Sequence, residues 1–136
     1  MIAWEGLVCV VTGASSGIGR EACRQLAARG ATVIAVARRQ ERLAALVDEL
    51  GSPRHSYVVC DVSDLGQVRA MAAAVGERTG HVDLLLNNAG IRSSGSLTKT
   101  TSEGMERVIR TNLLGSMWVT KELLALLEAA PRTART

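Results

Sequence analysis

Three glycines stand close together in the stretch 12–19, which reads Thr-Gly-Ala-Ser-Ser-Gly-Ile-Gly. The apolar run 7–11 comes directly before them, and this order predicts a buried strand, a glycine-rich turn and then a helix. Gly13 can adopt backbone angles that a side chain forbids, Gly17 lets the main chain approach a ligand, and Gly19 lets the helix pack close to the strand. Because a new helix offers unpaired N–H groups and the positive end of its dipole, the turn favours a phosphate ligand.

The spacing of this turn narrows the kind of phosphate site that it can form. It is Gly-x-x-x-Gly-x-Gly, whereas the commoner dinucleotide turn is Gly-x-Gly-x-x-Gly. A P-loop is excluded, because Ile18 stands where its second glycine belongs and no lysine follows. Taken alone, the turn is also compatible with a plain tight connection between a strand and a helix.

Strands and helices must alternate along the chain to position this turn. Apolar runs predict four strands, at 7–12, 32–37, 56–60 and 82–87. The spacing of apolar residues predicts four helices: one before Gly30, one at 40–50, one after an N-cap at Asp64, and a long one capped by Ser102. This alternation predicts an α/β fold with a parallel sheet in the order 3-2-1-4 and a ligand crevice above the carboxyl ends of strands one and four.

Three further motifs accompany the glycine turn. Asn87-Asn88-Ala89-Gly90 follows the fourth predicted strand, Cys60-Asp61-Val62 ends the third, and Asn112 lies inside the long helix. In this order and at this spacing the four motifs resemble those of the classical short-chain dehydrogenase/reductase family, over about residues 5–130. The resemblance implies a Rossmann-type doubly wound sheet that forms an NADP-binding half-domain over 1–130, truncated after the long fourth helix and followed by a polar tail at 131–136.

The resemblance also implies a role for individual residues. Asp61 would hold the adenine amino group, the Val62 backbone would hold a ring nitrogen, and Asn112 would support a water in a proton relay to the catalytic lysine. Structural roles remain open for two of them, a turn residue for Asp61 and a helix–helix hydrogen bond for Asn112. The complete set of implied cofactor-binding residues is Gly13, Ser15, Ser16, Gly17, Ile18, Gly19, Arg38, Asp61, Val62, Asn88, Ala89, Gly90 and Ile91, with Ile91 near the nicotinamide.

The residues after the second predicted strand favour NADP over NAD. A ribose with a free 2′-hydroxyl favours an Asp or Glu at this point, and Ala37 cannot accept a hydrogen bond. Arg38 would pair with a 2′-phosphate through charge-assisted hydrogen bonds, and Ser15 and Ser16 would add hydroxyl donors. The alternative is that Arg38 only begins a solvated helix and that the preference between the cofactors is loose.

The family's catalytic groups are expected to be absent from this sequence. The resemblance implies a tyrosine as acid/base, a lysine four residues later and a serine on the following strand. The single tyrosine is Tyr57, which Asp61 follows at that distance, and the lysines are Lys99 and Lys121. We therefore expect the cofactor-binding half of an oxidoreductase that acts on a small carbonyl or alcohol when complete. A non-catalytic NADP-binding module and a half-enzyme completed by a partner chain are the alternatives.

Composition excludes several other classes of function. The 136 residues are 47% hydrophobic with a net charge of +3 and no phenylalanine, which predicts a folded domain that does not bind nucleic acid. No apolar run reaches the roughly 18 residues of a membrane span. The three cysteines lack metal-ligand spacing, so we expect reduced thiols, no metal and a cytoplasmic location. Self-association is expected through the fourth strand and an apolar stripe of the last helix, which consists of Met105, Ile109, Leu113, Val119 and Leu123.

Overall fold

A four-stranded parallel sheet in the order β3-β2-β1-β4 forms the centre of the computed structural model, which describes residues 2–93 and 95–131. The strands are β1 (Val8–Thr12), β2 (Thr32–Ala37), β3 (Ser56–Val59) and β4 (Leu84–Leu86). The predicted order is confirmed. In the predicted polar tail, residues 132–136 lie outside the described residues.

The last strand, β4, is shorter than the apolar run that predicts it. Its three residues pair in parallel with Cys9, Val10 and Val11 of β1. The Val82 N–H, inside the predicted strand, instead donates to the Leu126 carbonyl at 2.9 Å. Because its N–H bonds to a helix, Val82 lies outside the strand ladder, although the Asp83 N–H donates to the Val8 carbonyl of β1 at 2.8 Å.

Within the described residues, five α-helices surround the sheet, and they are α1 (Gly17–Ala28), α2 (Gln40–Leu50), α3 (Leu65–Arg78), α4 (Ser102–Ile109) and α5 (Gly115–Glu128). The predicted cap of α3 is confirmed, since the Asp64 side chain accepts a hydrogen bond from the Gln67 N–H at 3.0 Å. The predicted cap at Ser102 is wrong by one residue. Thr101 is the N-cap of α4 and accepts from the Gly104 N–H at 3.0 Å, whereas Ser102 is the first helical residue.

The predicted long helix consists of three consecutive pieces. A π-helical turn, Arg110–Leu114, joins α4 to α5, and the residues at its two ends keep helical backbone angles. Gly115 begins α5 at the point where the helix passes the loop after β3. A Cβ there would lie only 2.8 Å from Cγ2 of Val62, so a glycine permits this close approach. The long helix is thus held close to the end of β3.

The core has two parts, one on each face of the sheet. Alternate residues of a strand point to opposite faces, so neighbouring positions of β1 and β2 enter different clusters. One cluster packs under α3 and α5 and includes Val10, Ile34, Val36, Val68, Met71, Val119 and Leu123. The other packs under α1 and α2 and includes Cys9, Val11, Val33, Ala35, Leu26, Leu43 and Leu46. Helices on both faces make the sheet doubly wound, as predicted.

The three cysteines are free and buried in the structure. Burial raises the pKa of the Cys9 and Cys23 thiols to about 12 and that of Cys60 to about 11, so these thiols stay protonated at neutral pH. Over residues 2–93 and 95–131, no helix combines the length and the apolar character of a membrane span.

Candidate cofactor site

A cavity opens at the carboxyl ends of the strands, where the loops after β1, β2, β3 and β4 meet. Ligands of open parallel sheets bind in this position. The lining residues are Gly13, Ser15, Ser16, Val36, Ala37, Arg38, Arg39, Cys60, Asp61, Val62, Asn88, Ala89, Gly90, Ile91 and Thr111. The structure therefore brings together most of the residues that the sequence singles out. Gly17, Ile18, Gly19 and Asn112 lie beside this lining, in the adjoining turns.

The three glycines of the turn between β1 and α1 meet different surroundings. Gly13 has φ +65°, and a Cβ there would lie 2.9 Å from Cα of Ala89. Gly17 has φ +55°, but a Cβ there would meet no atom from another part of the described structure within 4 Å. A Cβ at Gly19 would overlap the Gly13 carbonyl and the Asn88 amide. Gly13 and Gly19 thus permit close packing, whereas Gly17 leaves the space above the turn open.

The start of α1 faces this open space. Ser16 precedes the helix without a side-chain capping bond, and the first turn holds no acidic residue. Its first N–H groups and the positive end of its dipole are therefore available to an anion. Ile18 lies beside them with 80% of its surface exposed.

Thr12 and Asn88 join the loops after β1 and β4. The Thr12 hydroxyl oxygen accepts hydrogen bonds from the backbone N–H groups of Asn88 and Ala89, both at 3.0 Å. The Asn88 side-chain amide donates in return to the carbonyl oxygens of Thr12 at 3.2 Å and Gly13 at 3.3 Å. Asn88 therefore shapes the site by fixing the glycine turn, in addition to lining the cavity.

Asp61 is held as an ionised acceptor at the end of β3. Its Oδ1 accepts from the Ser63 backbone N–H at 2.9 Å and from the Ser63 hydroxyl at 2.6 Å. Burial raises the pKa of the Asp61 carboxyl, but the Ser63 hydrogen bonds and the charge of Arg38 outweigh burial, and the pKa lies below its ordinary value. A carboxylate in this state can accept a hydrogen bond from an amino group.

The two arginines after β2 act on different parts of the cavity. Arg38 lines it and affects Asp61 through its charge. Arg39 Nη2 donates to Ser15 Oγ at 2.9 Å and to Ser16 Oγ at 3.2 Å. The sequence pattern predicts a role for Arg38 alone. The sequence carries no local signal for Arg39, because its contact with the two serines joins residues 23 and 24 positions apart.

Asn112 lies in the π-helical turn and binds the loop after β4. Its Oδ1 accepts from the Ile91 N–H at 2.8 Å, and its Nδ2 donates to the Ile91 carbonyl at 2.7 Å. The Ser116 hydroxyl donates to the Asn112 carbonyl at 2.9 Å. Asn112 thus fixes the loop at Ile91, and its part in a proton relay stays a prediction. Thr111, from the same turn, lines the cavity and had no signal in the sequence.

A model of the short chain dehydrogenase family matches residues 7–134. The chain is 45% identical over 119 residues to a protein named as a ketoacyl reductase of the granaticin polyketide synthase from Streptomyces violaceoruber, a match that covers 86% of this chain and 44% of that protein. It is also 37% identical over 120 residues to the NADPH-dependent pterin aldehyde reductase of Arabidopsis thaliana. That match covers 87% of this chain and 50% of the relative.

A solved structure, the F189W actinorhodin polyketide ketoreductase with NADPH, superposes with a TM-score of 0.82 at 39% identity. The match covers 91% of this chain and 48% of the ketoreductase. The chain thus spans about half the length of the relatives that it matches.

Proposed function

Since the chain belongs to the short-chain dehydrogenase family, we propose that it is the cofactor-binding half of an NADP(H)-dependent oxidoreductase. A bound nicotinamide supplies or accepts the hydride that passes to or from a carbonyl or alcohol substrate. The observation that carries the proposal is the open glycine turn at Gly17, where the uncapped start of α1 faces the cavity at the carboxyl ends of the strands.

The turn fits the pyrophosphate of a dinucleotide. At Gly17 any side chain would point into open space above the helix start, which is where a phosphate must lie to accept the N–H groups of α1. Gly19 and Gly13 bring the turn against the loop after β4, so the helix start is fixed before a ligand arrives. Ile18, which is exposed, would be covered by the bound ligand.

The end of β3 and the end of β2 fit the adenosine half of the cofactor. Asp61, an ionised acceptor, would take the adenine amino group, and the Val62 backbone would take a ring nitrogen. Ala37 offers no acceptor to a ribose 2′-hydroxyl, whereas two arginines and two serine hydroxyls offer donors to a 2′-phosphate. We therefore propose NADP(H) rather than NAD(H). The actinorhodin ketoreductase was solved with NADPH, and the Arabidopsis relative is named as NADPH-dependent, which supports this proposal.

The nicotinamide half would lie toward the loop after β4. Asn88, Ala89 and Gly90 would line the adenosine side, and Ile91 would lie near the nicotinamide. The paired hydrogen bonds from Asn112 hold this loop in place. In this position Asn112 could take part in a proton relay only if the catalytic part of a complete enzyme supplied the other groups of the relay.

We propose that this chain alone binds the cofactor without reducing a ketone. Tyr57 lies in β3 and packs against the cluster under α1 and α2. Asp61 rather than a lysine stands four residues after it, and the lysines are Lys99 and Lys121. The pair that would protonate the product is therefore missing from this sequence, and general acid catalysis is typically worth about 10²–10⁴ in rate.

An exposed apolar stripe favours a second candidate function, in which the chain acts together with another polypeptide. The exposed stripe differs from the predicted one, because Val119 and Leu123 are buried against the sheet. Its residues are 40–58% exposed, and they are Met105, Ile109, Leu113, Met117 and Leu124. A surface of this kind favours association. Size-exclusion chromatography over a range of concentrations tests whether that polypeptide is a second copy of this chain, and a sharp monomer peak throughout would contradict association between copies. The predicted cytoplasmic location stays a prediction.

Titration with NADPH and two matched glycine variants tests the proposed function. Gly17→Asp places a carboxylate where the pyrophosphate would lie, so we expect affinity to fall at least about tenfold. Gly51→Asp is the control, because Gly51 also has a positive φ, +68°, but ends α2 in solvent. Equal affinities of the two variants, or no binding by the unchanged chain, would contradict the proposal. Turnover of a ketone by the unchanged chain would contradict the proposed lack of activity.

A further inference from the structure

The π-helical turn between α4 and α5 places an exposed arginine over an indole ring. The guanidinium carbon of Arg110 lies 5.4 Å from the ring centroid of Trp118, which is within the range of a cation–π contact. Eight positions separate the two residues, and in a regular α-helix their side chains would point about 80° apart. The i→i+5 bonds of a π-helical turn add about one residue, so two turns here take roughly eight residues. The π-helical turn therefore brings Arg110 and Trp118 to the same side of the long helix.

Arg110 also connects the long helix to the loop after β3. Its Nε donates to the Ser63 carbonyl oxygen at 2.9 Å. Ser63 in turn donates to Asp61 Oδ1, from its backbone N–H at 2.9 Å and from its hydroxyl at 2.6 Å. The Asp64 N–H donates to the Asp61 carbonyl at 3.1 Å and closes the loop. A continuous series of contacts thus runs from Trp118 through Arg110 and Ser63 to the Asp61 carboxylate.

The contacts of Asp61 divide into those that hold its backbone and those that hold its carboxylate. The Asp61 N–H donates to Gln67 Oε1 at 2.9 Å, so α3 holds the backbone. The carboxylate is held through Ser63, whose carbonyl is the acceptor for Arg110. Asp61 Oδ2 has no hydrogen-bond partner among the described residues, and it can accept from a ligand. Arg110 is not part of the cavity lining, so any effect on a ligand must pass through Ser63 and Asp61.

We propose that Arg110, which lies over Trp118, is a positioning residue that orients the Asp61 carboxylate toward the adenine amino group of the cofactor. This inference rests on the proposed function and identifies what selects the base within it. With Ser63 held at its carbonyl, its N–H and hydroxyl stay on Oδ1, and Oδ2 remains directed at the base. Without the guanidinium, Ser63 is released from the long helix and the carboxylate can rotate.

Calorimetric titrations of the whole chain with NADPH and with its hypoxanthine analogue test the proposal. The analogue carries a carbonyl oxygen where adenine carries its amino group, so Asp61 cannot accept from it. The unchanged chain should therefore bind NADPH about 10-fold to 100-fold more tightly than the analogue. Arg110→Met should lower this preference at least about threefold. Arg110→Lys keeps a positive charge over the indole and a donor for the Ser63 carbonyl, and it should restore most of the preference.

Arg107→Met is the matched control for the loss of charge. Arg107 lies one helical turn before Arg110 and is exposed. Its side chain makes no hydrogen bond or ion pair within the part of the chain that the structure describes. This variant removes the same charge from the same helix, and it should keep the adenine preference of the unchanged chain.

Hydrogen exchange of the free chain, followed by mass spectrometry, measures the positioning without a ligand. The N–H groups of Ser63 and Asp64 both donate to Asp61, so their exchange reports how firmly the loop is closed. In Arg110→Met they should exchange at least about fivefold faster than in the unchanged chain or in Arg107→Met.

Either measurement can overturn the proposal. It is wrong if Arg110→Met keeps the preference for adenine, or if Arg107→Met loses as much of that preference. Equal weakening of both nucleotides by Arg110→Met would overturn it too, since Arg110 would then support the fold without orienting Asp61. Unchanged exchange in the loop would show that Arg110 does not hold it. If the unchanged chain bound neither nucleotide, the proposed function itself would fail, whereas binding of both without a preference would overturn this inference and leave the cofactor-binding function standing.

Discussion

The two ends of the sheet use their polar side chains in opposite ways. At the amino end the polar side chains form hydrogen bonds with backbone groups of the chain. Asp83 has only 3% of its side chain exposed, accepts from the Val8 N–H at 2.8 Å and pairs with His81 at 3.2 Å. His55 is also buried, and its Nδ1 accepts from the Val33 N–H at 3.1 Å. These contacts connect strands and leave nothing directed at a ligand.

At the carboxyl end the polar groups fall into two kinds. Thr12 and Asn88 brace the loops, whereas Asp61, Arg38 and Arg39 line the cavity. Stability and ligand binding are therefore separated along the strands. A substitution at the amino end of the sheet should change the free energy of unfolding but not the cofactor affinity. A substitution of Thr12 or Asn88 should change both the free energy of unfolding and the cofactor affinity.

The largest expected effect on stability is at Asp83. Asp83→Ala leaves the buried Val8 N–H without its acceptor and removes the partner of His81, so the free energy of unfolding should fall by about 2–4 kcal/mol. Urea unfolding measures the loss, and NADPH titration of the folded variant should give an unchanged affinity. A variant that keeps its stability, or that loses affinity while folded, would break the separation between the two ends.

Thr12→Val should produce a smaller loss of stability together with a loss of affinity. Valine keeps the shape of threonine but leaves the N–H groups of Asn88 and Ala89 without their acceptor, at a cost of about 1–3 kcal/mol. The glycine turn and the loop after β4 then lose their common brace, and NADPH should bind more weakly. Thr32→Val, the same change at the amino end of β2, is the matched control and should leave the affinity unchanged.

The stability of the amino end should depend on pH through His55. Burial, and next the charge of Arg54, hold the pKa of the His55 imidazole below its ordinary value of 6.5. The unfolded chain therefore binds a proton first as the pH falls. The stability is fully present above about pH 6.5 and declines as the pH falls toward the lowered pKa.

Replacing His55 with asparagine tests this pH dependence, because the amide oxygen can accept from Val33 without titrating. Unfolding midpoints between pH 7.5 and 5 should fall less steeply in His55→Asn than in the unchanged chain. At pH 7.5 the loss of unfolding free energy in His55→Asn should be smaller than in Asp83→Ala or Thr12→Val. Parallel pH curves for the two proteins would show that another group carries the acid sensitivity.

Much of this arrangement could be predicted from the sequence. The glycine turn, the motif 87–90 and the alternation of apolar runs predict the sheet order and place the cavity, because strand ends of a parallel sheet meet at one edge. The local signals fail where two residue types are equivalent, as for Thr101 and Ser102, which are both good caps. A π-helical turn, with i→i+5 bonds, shifts the phase of a helix by about one residue, and the spacing of apolar residues is too irregular to reveal so small a shift at 110–114.

The site residues that the sequence did not reveal depend on long-range contacts. Arg39 meets Ser15 and Ser16 across 23 or 24 positions of the chain, and the charge that affects Asp61 comes from Arg38 on another strand end. Thr111 enters the cavity wall from the π-helical turn, whose Arg110 donates to the Ser63 carbonyl in the loop after β3 at 2.9 Å. No spacing rule within one element predicts such a contact, since it is set by how the elements pack.

The smallest expected effect is at Glu49, an exposed residue near the end of α2. Arg24 donates to both carboxylate oxygens, at 2.6 and 3.1 Å, and Arg20 donates at 3.3 Å. Hydrogen bonds from Arg24 hold the pKa of the Glu49 carboxyl below its ordinary value of 4.5, so any contribution to stability is present above pH 4.5 and is lost as the pH falls.

Water and salt screen exposed ion pairs of this kind, whatever their number of hydrogen bonds. Glu49→Gln should therefore shift the urea midpoint at pH 7 by no more than the error of the measurement, and 1 M salt should remove even that shift. If Glu49→Gln costs as much as Thr12→Val, then burial does not decide which polar groups stabilise this sheet, and the contrast between its two ends loses its physical basis.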